Sequence, residues 1–105
     1  MRRAARVDAN QPEIVAALRR CGCTVQSLAM VGKGCPDLLV GFRGQNVLLE
    51  VKDGAKPPSR RRLTPDETTW HASWRGQVVT VASIEDALNV ISGDLWAKGV
   101  AGMWS

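Results

Sequence analysis

The fold of this chain is decided by residues 35–52, CPDLLVGFRGQNVLLEVK, in which two apolar runs flank a short polar segment. The apolar runs are residues 38–40 and 47–49, and residues 43–46 between them have the composition of a turn. This pattern predicts a β-hairpin. Because both strands are apolar on both faces, we expect them to be central strands of a sheet that is covered on two sides.

Three charged side chains lie at the open end of this hairpin, among apolar neighbours. If residues 44–45 form the centre of the turn, antiparallel pairing places Asp37 opposite Lys52. Since side chains alternate between the two faces, Glu50 is then the diagonal neighbour of Asp37 on the same face. Charges in an apolar sheet are costly unless they are paired. A bound metal ion and a phosphate would explain why three of them converge here.

The chain has 105 residues, of which 45% are hydrophobic and 23% charged, a composition typical of one soluble globular domain. Residues 1–9 are expected to form a flexible basic arm. Residues 94–105 form a tail with two tryptophans that either packs on the core or contacts a second subunit. No apolar stretch approaches the ~20 residues of a membrane span. The basic N-terminus leads into no apolar run, so we expect a cytoplasmic protein without a membrane partner.

The net charge is +4, and arginines cluster at residues 2–6, 19–20 and 60–62. This basicity fits a nucleic-acid partner, because phosphates bind clustered arginine and lysine side chains. A solvated surface without a partner fits the charge equally well. Charge alone therefore leaves the choice open.

The cysteines number three, which is too few for a structural zinc site, since such a site usually takes four ligands. A disulfide framework is not expected in the cytoplasm. We therefore predict that Cys21, Cys23 and Cys35 are small buried side chains.

The segment before the hairpin predicts one helix and a weaker strand. Asn10 can cap a helix that ends near Gly22, and Glu13 stands at the N3 position of a capping box. Residues 24–29 are the weaker strand candidate, and the glycine-containing residues 30–35 after them are expected to form a loop.

The segment after the hairpin begins with a second helix. Thr64 and Glu67 have the spacing of a capping box, and Trp70 and Trp74, one turn apart, are expected to face the core. The predicted order of the whole chain is α-β-β-β-α-β-α. Because a β-α-β unit needs a crossover, its strands should be parallel and the sheet mixed. The elements after the hairpin are a helix (64–76), a strand (77–82) and a helix (83–91).

The charged residues of the hairpin suit metal chemistry. Asp37 and Glu50 are hard oxygen donors, and Mg²⁺ is held by one or two such groups together with waters and substrate phosphates. The backbone carbonyl of Val51 is a further candidate ligand. Lys52 shares a face with Glu50, where it could orient an attacking water or stabilise charge on a phosphate. The alternative is a structural salt bridge between Lys52 and either acid.

On these residues the chain resembles the PD-(D/E)xK nuclease superfamily and, within it, small stand-alone VRR-NUC domains, many of which are encoded by phages. The resemblance rests on residues 36–37, on residues 50–52 of the following strand and on the order of elements. The matching stretches lie between residues 11 and 88 and include GCPDLLVG (34–41), LEVK (49–52), LTPDE (63–67) and VASIEDAL (81–88).

The resemblance implies a restriction-endonuclease-like αβββαβ core, an α/β fold whose mixed central sheet is flanked by helices. It implies hydrolysis of DNA phosphodiesters with Mg²⁺ or Mn²⁺, on branched DNA such as Holliday junctions, by a homodimer in a bacterial or phage-infected cell. Two alternatives stay open. One is a nuclease of the same fold that nicks duplexes or cuts single strands. The other is a non-catalytic DNA-binding module in which the charges form only a buried ion network.

Roles follow from the resemblance position by position. Asp37 and Glu50 would be metal ligands and Lys52 the catalytic lysine. Glu13 matches the acidic residue of the first helix that completes the metal site in many members, and its alternative role is the capping box. Many relatives carry Gln near the start of the second helix, where this chain has Glu67. We interpret Glu67 first as a helix cap.

The remaining candidates are one histidine and a set of basic residues. His71 has the near-neutral titration that suits a general base, but we interpret it as a surface or half-buried structural residue. Lys33, just before Asp37, could approach DNA, although a plain turn is equally compatible. The basic residues after the catalytic strand are expected to bind backbone phosphates, the alternative being a solvated loop. They are Lys56, Arg60, Arg61 and Arg62.

Overall fold

The structure, a computed structural model, describes residues 7–93. The predicted tail (94–105) and most of the predicted arm (1–6) lie outside the described residues. A short 3₁₀ turn, Pro58–Arg60, precedes the second helix. The other elements are α1 (Gln11–Arg20), β1 (Thr24–Ser27), β2 (Leu38–Phe42), β3 (Gln45–Val51), α2 (Pro65–Ser73), β4 (Val78–Val81) and α3 (Ile84–Ile91).

The four strands form one mixed sheet in the order β1-β2-β3-β4. The β1–β2 and β2–β3 pairs are antiparallel, and β3–β4 is parallel, with α2 in the crossover between them. The predicted element order, the mixed sheet and the central position of the two hairpin strands are therefore confirmed. None of the helices within residues 7–93 combines the length and the apolarity of a membrane span.

The predicted hairpin register is wrong, because the turn is centred on residues 43–44 and not on residues 44–45. Phe42 pairs with Gln45, so the turn consists of Arg43 and Gly44 alone. Both have positive φ, 50° and 78°, which is the conformation that a two-residue hairpin turn requires. Leu38 pairs with Leu49, and the next position along the strands places Asp37 opposite Glu50, with Lys52 on the diagonal. The error shifts the pairing by two residues, so every side chain keeps its predicted face.

The core lies on one face of the sheet, under α1 and α3. Alternate residues of β3, beginning at Val47, point to this face, where Leu49 is fully buried. Burying each such aliphatic side chain stabilises the fold by about 1.5–3 kcal/mol. The cluster is made by Ile14, Leu18, Cys23, Leu38, Val40, Val47, Leu49, Val51, Val81, Ala87, Val90 and Ile91.

The opposite face of the sheet carries α2, and the prediction that its two tryptophans face the core is wrong. No residue of α2 is buried, and Trp74 is 46% exposed, so the two tryptophans do not face the core. Their rings instead stack on each other, with centroids 4.5 Å apart and planes 19° apart.

The prediction that all three cysteines are buried is wrong for two of them. Cys23 is buried, whereas Cys35 is half-buried and Cys21 is exposed, and all three are free thiols.

The start of α1 is tied to the sheet by Asn10. The predicted capping box is wrong, because the Asn10 side chain makes no capping hydrogen bond. Its Nδ2 instead donates to the backbone carbonyls of Lys52 (3.1 Å) and Ala82 (3.2 Å), which follow β3 and β4. These bonds hold the first helix against the end of the two parallel strands, where Lys52 lies.

Two glycines with left-handed backbone allow a matched test of packing around α2. A Cβ at Gly34 (φ +84°) would collide with the backbone carbonyl of Asp66, whereas a Cβ at Gly44 (φ +78°) would meet nothing within 4 Å. Alanine at either position incurs the left-handed penalty of about 1–2 kcal/mol, and only Gly34→Ala adds a collision. Urea denaturation should show the larger loss of unfolding free energy for Gly34→Ala than for Gly44→Ala. Equal losses would contradict this packing.

Candidate active site

A cavity of about 360 Å³ opens where the hairpin ends meet the loop before β2 and the start of α2. Four of the predicted catalytic and metal-binding residues line it together, namely Asp37, Glu50, Val51 and Lys52. The convergence predicted from the sequence is thus present, although the acids face each other directly instead of diagonally. Other lining residues that matter below are Asp8, Lys33 and Glu67.

Asp37 is held at the mouth of the hairpin by the strand on each side. Its Oδ2 accepts a hydrogen bond from the Val51 N–H at 2.7 Å, and its backbone carbonyl accepts one from the Leu28 N–H at 2.8 Å. Burial raises the pKa of Asp37 above its usual range, while the bond from Val51 opposes this rise. The side chain is therefore fixed in place without a cationic partner among residues 7–93.

Glu50 is the most deeply buried charge-bearing side chain of the cavity, at 2% exposure. Its Oε1 accepts no hydrogen bond from the described residues. Burial, and next the negative charge of Asp37, raise the pKa of Glu50 to about 9. Without a bound cation this carboxyl group consequently keeps its proton at neutral pH.

Lys52 is paired chiefly with Glu67 of α2 and only loosely with Glu50. The Lys52 Nζ donates to Glu67 Oε1 at 2.7 Å and lies 3.8 Å from Glu50 Oε2. Burial alone lowers the pKa of Lys52, but the hydrogen bond and charge of Glu67 outweigh it, and the net shift is upward. Lys52 therefore stays a cation at neutral pH.

Glu67 has two partners, of which the sequence revealed one. Its Oε1 also accepts from the Thr64 N–H at 2.9 Å, and its own N–H donates to Thr64 Oγ1 at 3.2 Å, so the predicted capping box is confirmed. Although burial raises the pKa of Glu67, the hydrogen bond from Lys52 reverses the shift and lowers it. The sequence did not predict the contact of Glu67 with Lys52. The acidic residue at a position where many relatives have Gln was the signal that could have indicated it.

His71 lies at the site, where the sequence interpretation did not put it. Its Nε2 is 3.7 Å from Glu50 Oε1, too far for a hydrogen bond. Burial lowers the pKa of His71, so the imidazole is neutral at neutral pH. Residues four apart share a helix face, and the spacing from Glu67 to His71 could have placed His71 here.

The acidic residue that joins the cavity from the N-terminal side is Asp8, not Glu13. Glu13 is exposed and lines a different cavity, of about 450 Å³, together with Asp53 and Ser83. Asp8 lines the site cavity, and its charge helps to raise the pKa of Asp37. No sequence pattern marked Asp8, because it precedes the helix and its position depends on the path of the chain into α1.

The predicted DNA-binding residues lie at different distances from the cavity. Lys33 lines it, between two glycines with left-handed backbone. Lys56 is exposed, with its Nζ 3.9 Å from Asp8 Oδ1. The three arginines do not line the cavity; Arg60 and Arg62 are exposed and Arg61 is half-buried.

The donor set suits a cation that needs few protein ligands. Within residues 7–93 no group of three or more His, Cys, Asp or Glu side chains forms a metal site. Mg²⁺, however, needs only one or two carboxylates beside waters and phosphates. The unpartnered Glu50 Oε1, buried opposite a second carboxylate, fits such an ion, because a cation would let both acids ionise.

Comparison with known proteins agrees with the fold. No protein-family model and no curated protein sequence matches this chain. Among solved structures it is similar to one described as a VRR_NUC domain, with 28% sequence identity and a TM-score of 0.59. The match covers 78% of this chain and 89% of that chain. The resemblance to VRR-NUC domains and the predicted α/β nuclease-like architecture are thereby confirmed.

The burial of Glu50 opposite Asp37 predicts a pH dependence of stability in the presence of a chelator. With a folded pKa of about 9 against 4.5 for an exposed Glu, folded Glu50 retains a proton that the unfolded chain has lost at intermediate pH. The free energy of unfolding should therefore fall as pH rises from about 5 to 9. Urea denaturation at several pH values in this range should show that the unfolding free energy of Glu50→Gln falls less steeply with pH than that of the wild type. The exposed control Glu13→Gln should keep the wild-type dependence on pH. Identical slopes in all three proteins would contradict the burial of Glu50.

Proposed function

We propose that this VRR-NUC-like domain is a metal-dependent endonuclease that hydrolyses phosphodiester bonds of DNA. The observation that supports this most is the pair of opposed carboxylates, half-buried Asp37 and buried Glu50, beside the ammonium group of Lys52. Buried acids with raised pKa values in a cleft are typical of functional sites. The similarity to a VRR_NUC domain adds support from the fold as a whole.

Asp37 and Glu50 would hold Mg²⁺, or Mn²⁺, with the backbone carbonyl of Val51 as a further donor. Such an ion polarises a phosphoryl oxygen and lowers the pKa of a water when it is bound. Asp37 is kept in position for this role by the hydrogen bond from Val51. Glu50 becomes available as a ligand when it loses its proton.

Lys52 supplies positive charge and donors next to the scissile phosphate. An ammonium group has three N–H donors, and Glu67 takes one of them. The others can orient the attacking water or stabilise the charge that develops on the phosphate oxygens. Glu67 keeps Lys52 charged and fixes its direction, so we assign Glu67 as a positioning residue. The expected products carry a 5′-phosphate and a 3′-hydroxyl, as the family resemblance implies.

The DNA would cross the cavity between two groups of basic residues. Lys33 stands on the loop before β2, and Lys56 with the arginines at 60–62 stands between β3 and α2. Side chains of this kind neutralise backbone phosphates without reading the sequence. The net charge of +4 supports this assignment.

The assignment of the catalytic residues predicts two inactive variants. Asp37→Asn removes a ligand charge and Lys52→Met removes the donor, while each preserves the size of the side chain. Either change should reduce Mg²⁺-dependent cleavage by about 100-fold or more. Initial rates on labelled DNA, with circular dichroism to check folding, would measure this. The control Glu85→Gln, on α3 outside the cavity, should keep the wild-type rate, and wild-type rates in both site variants would refute the assignment.

The positions of the two N-terminal acids predict a difference between them. Asp8 lines the site cavity and Glu13 does not, so we propose Asp8 as the third acidic group. Asp8→Asn should reduce cleavage about tenfold or more and raise the Mg²⁺ concentration that it needs. Glu13→Gln should stay within about twofold of wild type. A larger loss of cleavage for Glu13→Gln than for Asp8→Asn would instead support Glu13 as the third acidic group.

The proposed substrate is branched DNA, cut by a homodimer, because two symmetric nicks need two sites. Light scattering should therefore give twice the mass of the chain. A panel of labelled junctions, flaps, duplexes and single strands with Mg²⁺ should show the fastest cleavage of the junction. A monomer that prefers duplex or single strands would be a different nuclease of this fold. Binding without any cleavage, in Mg²⁺ and in Mn²⁺, would indicate a non-catalytic module.

A further inference from the structure

A second cavity lies on the same face of the sheet, between α2 and strands β2 and β3. Its volume is about 430 Å³, within the range of small-ligand sites. We infer that this cleft, called the tryptophan cleft below, binds one nucleobase that is unstacked from the DNA beside the cut. The inference rests on the proposed function, since it names a feature of the same substrate.

The tryptophan cleft has the chemistry that a nucleobase needs. Trp70 and Trp74 form a stacked pair on one side, and Leu39 and Leu48 lie on the sheet side. An aromatic platform binds any base through its π-face. Trp74, at 46% exposure, is among the large hydrophobic side chains that the described residues leave open to solvent.

Amide groups add polar contacts to the apolar walls of the cleft. Asn46 and Gln77 both line it, and each side chain offers a donor and an acceptor. Base edges carry donors and acceptors of the same kind. A base could bond to these amides, whereas a purely aliphatic ligand has no group that could do so.

The tryptophan cleft adjoins the active-site cavity. Leu28 and Cys35 line both of them. The Trp70 ring meets the His71 ring edge-on at 6.1 Å, and His71 Nε2 lies 3.7 Å from Glu50 Oε1. A base in the cleft would consequently belong to a nucleotide next to the phosphate at Asp37 and Glu50.

This position favours DNA whose bases are already unpaired near the cut. A base in an intact duplex must first leave its stack, and the energy needed is least for unpaired or mismatched nucleotides. Junctions, flaps and single strands supply such bases at no cost of unpairing. The tryptophan cleft would thus contribute to the choice of substrate, while the cavity at Asp37 performs the hydrolysis.

An abasic scan of a bound oligonucleotide tests this inference. The full chain is titrated in EDTA into fluorescein-labelled DNA flaps of one sequence, whose branch point fixes the position of the protein, each with one tetrahydrofuran abasic nucleotide at a successive position of the single strand. Fluorescence anisotropy should show about tenfold weaker binding when the base that enters the cleft is missing. Every phosphate is retained, so a loss at one or two positions reports the base alone.

Variants connect this loss to the cleft. Trp74→Ala should bind the intact flap about tenfold more weakly and should no longer distinguish intact from abasic flaps. Gly76→Ala is a milder second variant, because its Cβ would come within 2.9 Å of Trp74 Nε1 and displace the ring. The matched control Arg75→Ala removes a neighbouring exposed charge, so it should weaken binding of intact and abasic flaps equally.

The failures of this inference and of the proposed function are distinguishable. Equal affinity of the wild-type protein for all flaps, or an unchanged base effect in Trp74→Ala, overturns the base site and leaves the nuclease assignment intact. A change of mass by light scattering in Trp74→Ala with an unchanged base effect assigns the cleft to a second copy and also overturns it. No binding of any flap overturns both proposals.

Discussion

Two carboxylates facing each other across a buried position of the β2–β3 hairpin govern the rest of this site. Both Asp37 and Glu50 have raised pKa values because burial disfavours the charged forms, and the negative charge of Asp37 raises the pKa of Glu50 further. The fold tolerates the pair in the absence of metal because Glu50 can hold a proton. In the proposed function a divalent cation would replace that proton, so metal binding and proton release would be one coupled event.

The lysine of the site is held by a helix as well as by its own strand. The ion pair from Lys52 to Glu67 links the end of β3 to the first turn of α2. That first turn is brought close by Gly34, whose lack of a side chain lets the loop before β2 reach the backbone of Asp66. The loop, the hairpin and the helix therefore form one unit around the cavity, and the same unit forms the wall of the tryptophan cleft.

The sequence predicted most of the fold, since strand composition, helix caps and crossover rules are local or general. It predicted the convergence of Asp37, Glu50 and Lys52 despite a wrong register, because a shift of two residues preserves the faces of a strand. What it could not predict depends on tertiary geometry. Asn10 bonds to the sheet instead of capping α1, and Asp8 lines the site cavity whereas Glu13 does not. The tryptophans of α2 have helical spacing without a core to face.

The anchoring of α2 has a dynamic consequence. None of its residues is buried, so its attachment to the sheet depends on polar contacts, such as the bond from Lys52 to Glu67, more than on buried apolar packing. Regions with few buried apolar contacts exchange their amide hydrogens through local opening at low free energy. Opening of α2 would break the bond between Lys52 and Glu67 and would expose both cavities to solvent at the same time. The motion that lets a polynucleotide enter would therefore also disrupt the arrangement of the site.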